Sequence, residues 1–570
     1  MRYTRLIGVT ALGLGLIGGG SSQGGGPGTL TAFRVRTAAA VPLNADYGWA
    51  KETNGRFVVD ADRPFRMRIE VEVPAAGGDL AFRLEYRRNG APWEPVLAED
   101  FPKPEQATPR VSVVSSRAYE PGTATIDLLA GARLAHAGGA GLSLSAATPR
   151  WAGGGSGEWE WPLVIRRYAD GPVSNEEGDT FEFRVVTEDG TPLETRMTPA
   201  VALAIPAWHL GGTFVETPGR IGPWQASNGD LYFIMEPTET DNRFMVVKSS
   251  DGGRTWREAD AANRPEADDL ESVAGQTAGA TIHLLHQTSR VVYYHTFRTS
   301  DHPTQPDTWD VRDEVVAQTA PPPTQAATIA VRTDGSVVAV YSGPEKLHLR
   351  TRAPAGSWGA EATVDAEVGP NLSSPQAALG RDGMVHLAYR GADGTAWYRR
   401  VRPEGSLTER VLIATGLGTG ETDVGAILPL AYVPKTDTVS IVYRLATGLL
   451  WERRVPRDDA PSAPVQVSDR AVAQSVVDSD QATADVVVDG TTMYVIFVDE
   501  ASGAIYTTHS KAGDAWTTPA LVLDGINASW VRGQPVRRAD GARVYGFVFD
   551  AGSKGGSGMN RYLERPLISQ

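Results

Sequence analysis

The sequence contains no cysteine. That excludes disulfides, thiolate catalysis, iron–sulfur clusters and cysteine-based zinc sites. A chain of 570 residues can instead rely on the size of its core. Three catalytic signatures are also missing: a phosphate-cradling glycine loop, the His-Glu-x-x-His pair and the Gly-x-Ser-x-Gly elbow. Beyond the N-terminal segment no stretch is apolar enough to cross a membrane, so an integral membrane protein is not expected once that segment is removed. Positive charge is scarce: 54 Lys and Arg face 68 Asp and Glu, for a net charge of −14. That balance argues against tracking a nucleic-acid backbone, and it would repel a polyanion outside a local basic pocket.

What is abundant is punctuation. The 62 glycines and 38 prolines suit many short strands joined by turns. Arg2 and Arg5 precede an apolar stretch, Leu6–Ile17, too short to span a bilayer and suited to the core of a signal peptide. Gly18–Gly28 has linker composition. No A-x-A site is evident, so an uncleaved anchor stays an alternative to export. From residue 29 to 206 the pattern alternates with period two, as in Phe65–Val73, Leu80–Arg88, Trp159–Tyr168 and Thr180–Val186, which predicts half-buried strands of a β-sandwich. Its Trp93, Trp151, Trp159 and Trp161 suit either core packing or a sugar-stacking platform.

From residue 207 to 570 the chain repeats. Gln225, Gln276, Gln325, Gln376, Gln481 and Gln534 open successive units, with Gly425 in the remaining place, at a spacing of about fifty residues, one propeller blade of four strands. Each opening is followed by an apolar strand, such as Leu231–Met235, Ile282–His286 or Val385–Tyr389, which reads as buried on both faces. The predicted fold class is all-β: residues 1–28 a signal peptide and linker, 29–206 a β-sandwich and 207–570 a seven-bladed β-propeller closed by a strand near Trp208–Glu216. The repeated glutamine is expected to satisfy backbone groups around a central channel.

Ser249, Asp251, Gly253 and Trp256 stand in S-x-D-x-G-x-x-W spacing, and Trp309, Trp358 and Trp516 keep worn versions. This resembles the Asp-box of the sialidase/BNR-repeat superfamily, whose aspartate caps a tight turn and whose tryptophan packs between blades. The resemblance implies a functional face opposite that turn. Arg220-Ile221 resembles the family's Arg-Ile-Pro motif, whose arginine grips a carboxylate, although Gly222 replaces the proline. Glu236, Asp241 and Arg243 lie where the family carries its acid. Seven repeats differ from the six blades of sialidases, and the remaining arginines and the Tyr–Glu pair of that family have no counterpart by motif. The likeness is therefore to the superfamily, and seven-bladed polysaccharide lyases are a nearer architectural match.

Residues ending the second strands are expected to ring the open mouth: Glu236, His286 with Gln287, Tyr341 with Ser342, Tyr389 with Arg390, Tyr443 with Arg444, Asp499 and Asp550. Arginine pairs bidentately with a carboxylate, and tyrosine or histidine moves a proton. Polar strand ends that bond to loop backbone are the alternative. The candidates for catalysis are Asp241, Glu236, His286, Tyr389 and Tyr443; those for substrate binding are Arg220, Arg243, Arg390, Arg444, Asp499 and Asp550. Arg220, Arg390 and Arg444 are expected to converge in one cleft. The expected partner is a carboxylated oligo- or polysaccharide, met by a glycosidase, a lyase or a non-catalytic glycan-binding protein, with no nucleic acid, cofactor or metal.

Overall fold

The computed structural model describes residues 27–567 apart from 38–40, 99–108, 117, 168–174, 213–218, 237–242, 260–262, 266–272, 289, 300–308, 319–325, 345, 369–373, 420–427, 458–459, 474–481, 512–514, 527 and 551–559. Asp241, Gln325, Gly425, Gln481 and the Arg2–Ile17 segment lie outside the described residues. The described chain is all-β, with helix limited to short turns such as Ala75–Gly77 and Arg381–Gly383.

Two sheets in the first part share one core. The larger runs in the order Glu194–Thr195, Thr29–Thr37, Phe65–Val73, Gly155–Ile165, Val111–Val113, Leu97–Ala98, and His136–Gly138 also pairs with its long central strand. The smaller runs Phe57–Asp60, Ala200–Ala204, Thr180–Thr187, Phe82–Arg88, Glu94–Pro95. Period-two alternation turns Ile69 and Val71 of one sheet towards Phe181 and Phe183 of the other.

The expectation of half-buried strands fails at Phe65–Val73 and Gly155–Ile165, which are buried on both faces. Arg66, Arg68, Glu158 and Glu160 point away from the core, yet the segment around residues 119–129, which lies between the two strands in sequence, covers them. Tyr119 donates to the Glu160 carbonyl at 3.0 Å, and the Leu128 and Leu129 amides donate to the Glu158 carboxylate at 2.8 and 2.7 Å. Burial of this charge is tolerated because it is paired: Glu160 lies 3.4, 3.3 and 3.5 Å from the guanidiniums of Arg36, Arg66 and Arg68. Trp159 and Trp161 are core residues, Trp151 packs edge-on against Trp159, and Trp93 lies under the guanidiniums of Arg87 and Arg184. Packing, not an open platform, occupies these aromatics.

Seven sheets follow among the described residues. Six have four antiparallel strands in sequence order and the last has three. Their first strands are Trp224–Gln225, Val273–Ala278, Ala327–Val331, Gln376–Leu379, Leu430–Val433, Ala484–Asp489 and Val531–Arg537, which define sheets 1 to 7. Each first strand touches that of the next sheet, and those of sheets 1 and 7 touch each other, so the seven form a closed cycle. The seam between sheets 7 and 1 is reinforced by the segment entering sheet 1. The Leu210 amide donates to the Asn560 carbonyl at 2.9 Å, and the Tyr562 amide donates to the Trp208 carbonyl at 3.0 Å.

The turn after the third strand of sheet 1 is held by its own side chains. Asp251 accepts from the Thr255 amide at 2.8 Å and from the Thr255 hydroxyl at 2.6 Å, while the Gly253 amide donates to the Ser249 hydroxyl at 2.8 Å. Gly253 has φ of 87°, a backbone region that disfavours a side chain, and an added Cβ there would strike the Tyr562 ring. Trp256 is fully buried against Tyr562 of sheet 7. Trp358 and Trp516 likewise reach back one sheet, the first packing on Tyr294 and the second donating to Glu452 at 2.9 Å.

Candidate functional site

The first strands enclose a cavity of about 400 Å³ on the axis of the cycle. Its polar lining includes Gln276, Thr277, Thr328, Gln376, Gln534 and Arg220. Innermost strands face a channel rather than another sheet, so their sequences can afford polar side chains at positions where the second strands are apolar.

Arg220 is placed by backbone and side chain together. Its carbonyl accepts from the Gly275 amide of sheet 2 at 2.6 Å, and its guanidinium reaches sheet 6. There Nη2 lies 3.1 Å from Asp485 and donates to the Val486 carbonyl at 2.9 Å. Asp485 is buried and also lies 3.6 Å from Arg532. Burial lowers the Arg532 guanidinium to about 10. The same surroundings push the enclosed Tyr545 hydroxyl well above its usual range, by burial first and by Asp485 second. Arg220 itself is 21% exposed, and its Nε and Nη1 have no hydrogen-bond partner among the described residues.

The second-strand ends do not ring this cavity. Arg390 is buried and donates to the Gly418 carbonyl; Arg444 is buried and donates to the Val472 carbonyl at 2.9 Å. Both cap the chain as it leaves a fourth strand, so the expected convergence with Arg220 does not occur. Asp499 accepts from the amide and hydroxyl of Ser502 at 3.1 and 2.6 Å. Asp550 accepts from the Ser529 amide and hydroxyl and from the Trp530 amide. These residues hold loops, as polar strand ends do.

The proton-transfer candidates are equally remote. Tyr389 is fully buried and donates to Asp365 at 2.7 Å, and burial followed by that bond raises its hydroxyl well above the usual range. His286 is fully buried among Phe244, Tyr293 and His295. An imidazole enclosed in this way cannot meet a substrate in the channel. Glu236 and Arg243 are half-buried and do not line the cavity. Tyr443 lines a different cavity, between sheets 4 and 5.

Two roles in the repeat have different legibility. The glutamine expectation holds at two positions: Gln225 exchanges two hydrogen bonds with the Arg537 backbone, and Gln276 two with Val331, whereas Gln534 lines the cavity without a side-chain hydrogen bond among the described residues. A role unread in the sequence belongs to an arginine of the third strand. Arg350, Arg399 and Arg453 each donate Nε to a carbonyl of their own sheet and Nη1 to the outer strand of the preceding one. Its signal was the arginine recurring in "LHLRTR", "AWYRRV" and "LLWERRV".

A wider cleft of about 970 Å³ opens at the turns of sheets 1 and 7, beside Trp208. Of the charges lining it, Arg538 bonds Glu564, and Asp230 lies 2.8 Å from Lys248.

No protein-family model matches the chain, and no curated protein matches it. Among solved structures it is similar to the BP39L lectin from Burkholderia pseudomallei, with 13% identity over 62% of this chain and 99% of that one and a TM-score of 0.44. It is similar to the polysaccharide lyase Uly1, with 10% identity over 64% of this chain and 92% of that one and a TM-score of 0.41. The Aleuria aurantia lectin is similar at 15% identity over 54% of this chain and 95% of that one, with a TM-score of 0.37. At TM-scores this low, none of these likenesses decides what this chain binds.

Proposed function

We propose that this is an exported carbohydrate-binding protein in which a β-sandwich, residues 29–206, precedes a seven-bladed β-propeller of the Asp-box type, residues 207–570. The propeller holds a carboxylated saccharide in its central cavity without turning it over. Arg220 carries this reading. One nitrogen is fixed from behind by Asp485 and Val486, and two remain for a ligand in the cavity. The remaining Nε and Nη1 point to different sides of the guanidinium, so each offers a separate charge-assisted donor to a carboxylate oxygen, and the surrounding glutamines and threonines suit sugar hydroxyls. The closed cycle of seven sheets supports the propeller, the Ser249–Trp256 turn supports the Asp-box reading, and the Arg2–Ile17 segment supports export. Binding is preferred to hydrolysis or elimination because Glu236, His286, Tyr389 and Tyr443 do not border the cavity, whereas a glycosidase or lyase needs its acid and base there.

The test is a panel of sialylated, uronate-containing and neutral oligosaccharides, read for binding, for released sugar and for absorbance of an unsaturated product. Carboxylated glycans should bind in preference to neutral ones, Arg220→Gln should weaken them by about tenfold or more, and no product should form. Equal binding of neutral glycans, or full binding by the variant, would remove the carboxylate reading. Product formation would make the protein an enzyme.

A further inference from the structure

The repeat allows each seam between neighbouring sheets to be compared with the others at matching positions. In every seam from sheets 2 and 3 to sheets 5 and 6, an aromatic residue late in the second strand pairs with a ring on the third: Tyr341 with His348, Tyr389 with Trp397, Tyr443 with Trp451 and Phe497 with Tyr506. Three seams are filled by the chain itself. Between sheets 2 and 3, Tyr341 donates to Glu361 at 2.5 Å. Between sheets 3 and 4, Tyr389 donates to Asp365 at 2.7 Å, while Arg410 lies 3.2 Å from the same carboxylate with its guanidinium over the Trp397 ring. Between sheets 5 and 6 there is no tyrosine hydroxyl at Phe497, and Arg470 closes over Tyr506, donating to its hydroxyl at 2.8 Å.

The seam between sheets 4 and 5 keeps the tyrosine and lacks the filling. Strand register puts Ala414 where Asp365 stands, since Ala396 pairs with Ala414 as Leu347 pairs with Asp365. The residue preceding the fourth strand, Glu361 or Arg410 in the two filled seams that keep the tyrosine, is Pro464. A cavity of about 360 Å³ results, lined by Tyr443, Trp451, Arg453 and Pro464. The Tyr443 side chain is almost fully buried, yet its hydroxyl makes no hydrogen bond among the described residues. Arg453 adds fixed positive charge, with Nε on the Ser462 carbonyl at 2.7 Å and Nη1 on the Ile413 carbonyl at 2.9 Å.

We propose that this seam is a second binding site, for a small ring bearing a carboxylate, of which a hexuronic acid is the sugar member. In both seams where a tyrosine hydroxyl is retained and satisfied, the chain supplies a carboxylate to it. Between sheets 4 and 5 the ligand supplies that carboxylate, accepting from Tyr443 beside Arg453 while its ring lies against Trp451. The volume suits one sugar ring, near the lower end of small-molecule pockets. The site is separate from the central cavity and does not depend on Arg220.

The test is calorimetric titration of the full chain with D-glucuronic acid and, as the neutral control, D-glucose. Glucuronate should bind and glucose should not. Tyr443→Phe should weaken glucuronate by about tenfold or more, as for loss of a hydrogen bond to a charged group. The double variant Ala414→Asp, Pro464→Arg copies the filling of the seam between sheets 3 and 4; it should fold and lose the site. Arg220→Gln should leave this site in place, which separates it from the central cavity. The proposal is overturned if wild type does not bind glucuronate, if glucose binds equally, or if, with Arg220→Gln already in place, binding survives both Tyr443→Phe and the double variant. Loss of all glucuronate binding in Arg220→Gln alone would also overturn it.

Discussion

Asp550 ends the second strand of sheet 7 with its carboxyl group turned inward and 1% of the residue exposed. Burial pushes it up to about 6, and the hydrogen bonds from Ser529 and Trp530 offset only part of that rise. Asp365 shows the opposite balance. Burial would raise it too, but Tyr389, a backbone amide and Arg410 hold it below the usual carboxylate range. Partners, not depth alone, set the sign. Because the folded value of Asp550 is raised, the protonated form favours the fold. Its contribution is present below the ordinary carboxylate value near 4 and is lost as pH rises through about 6. Asp550→Asn should therefore gain stability relative to wild type by on the order of 3 kcal/mol between pH 4 and pH 6, with little change above. Urea unfolding of both proteins across that range would check it; a constant difference would show that Asp550 keeps an ordinary value.

At the scale of elements, the first strands meet across wedge-shaped gaps where two sheets cannot share a backbone ladder. A glutamine amide has the donor and acceptor of a peptide group, so Gln276 extends the ladder sideways. Its Nε2 donates to the Val331 carbonyl at 3.3 Å, and its Oε1 accepts from the Val331 amide at 2.8 Å. Val331 is buried, so removing the glutamine strands an amide that water cannot easily reach. Gln276→Ala should lower unfolding free energy by about 1–3 kcal/mol, measured by chemical denaturation. Gln276→Glu keeps the acceptor and should lose less. No loss in either variant would mean that the seams stand on apolar packing alone.

At the scale of the molecule, the last sheet is finished by residues from the start of the repeat region. Trp208 and Leu210 bond to Tyr562 and Asn560, far away in sequence, so the ring is closed by a clasp between its ends. Arg167 of the first part donates to the His209 carbonyl at 2.7 Å and steadies that segment. A chain starting at residue 207 keeps the clasp, whereas one starting at 213 lacks it. The shorter chain should melt at a lower temperature and be cut sooner in limited proteolysis near its C-terminal strands. Equal melting temperatures would show that contacts between first and second strands close the ring unaided.

The sequence by itself determined what is periodic. Alternation and turn residues specified strands, the spacing of the glutamines specified the repeat, and the Ser249–Trp256 spacing specified a turn whose partners lie within a few residues. The glutamine role was legible at Gln225 and Gln276 for the same reason, because one unit's requirement recurs in the next. Most of the candidate site was not legible. Arg220 was found by a motif, but its partner Asp485 sits in sheet 6, and no local pattern announces a contact across the channel. Arg390, Arg444 and Asp550 have the residue types of a carbohydrate site, and only the tertiary fold turned them under loops. The buried charges of Arg66 and Glu160 depended on a segment folding back over a sheet face. The cavity beside Tyr443 depended on Ala414 and Pro464, whose small or rigid side chains mean nothing until the register sets them against Asp365 and Arg410. Periodicity reports which face a side chain leaves the backbone from; what waits on that face is decided by residues distant in sequence.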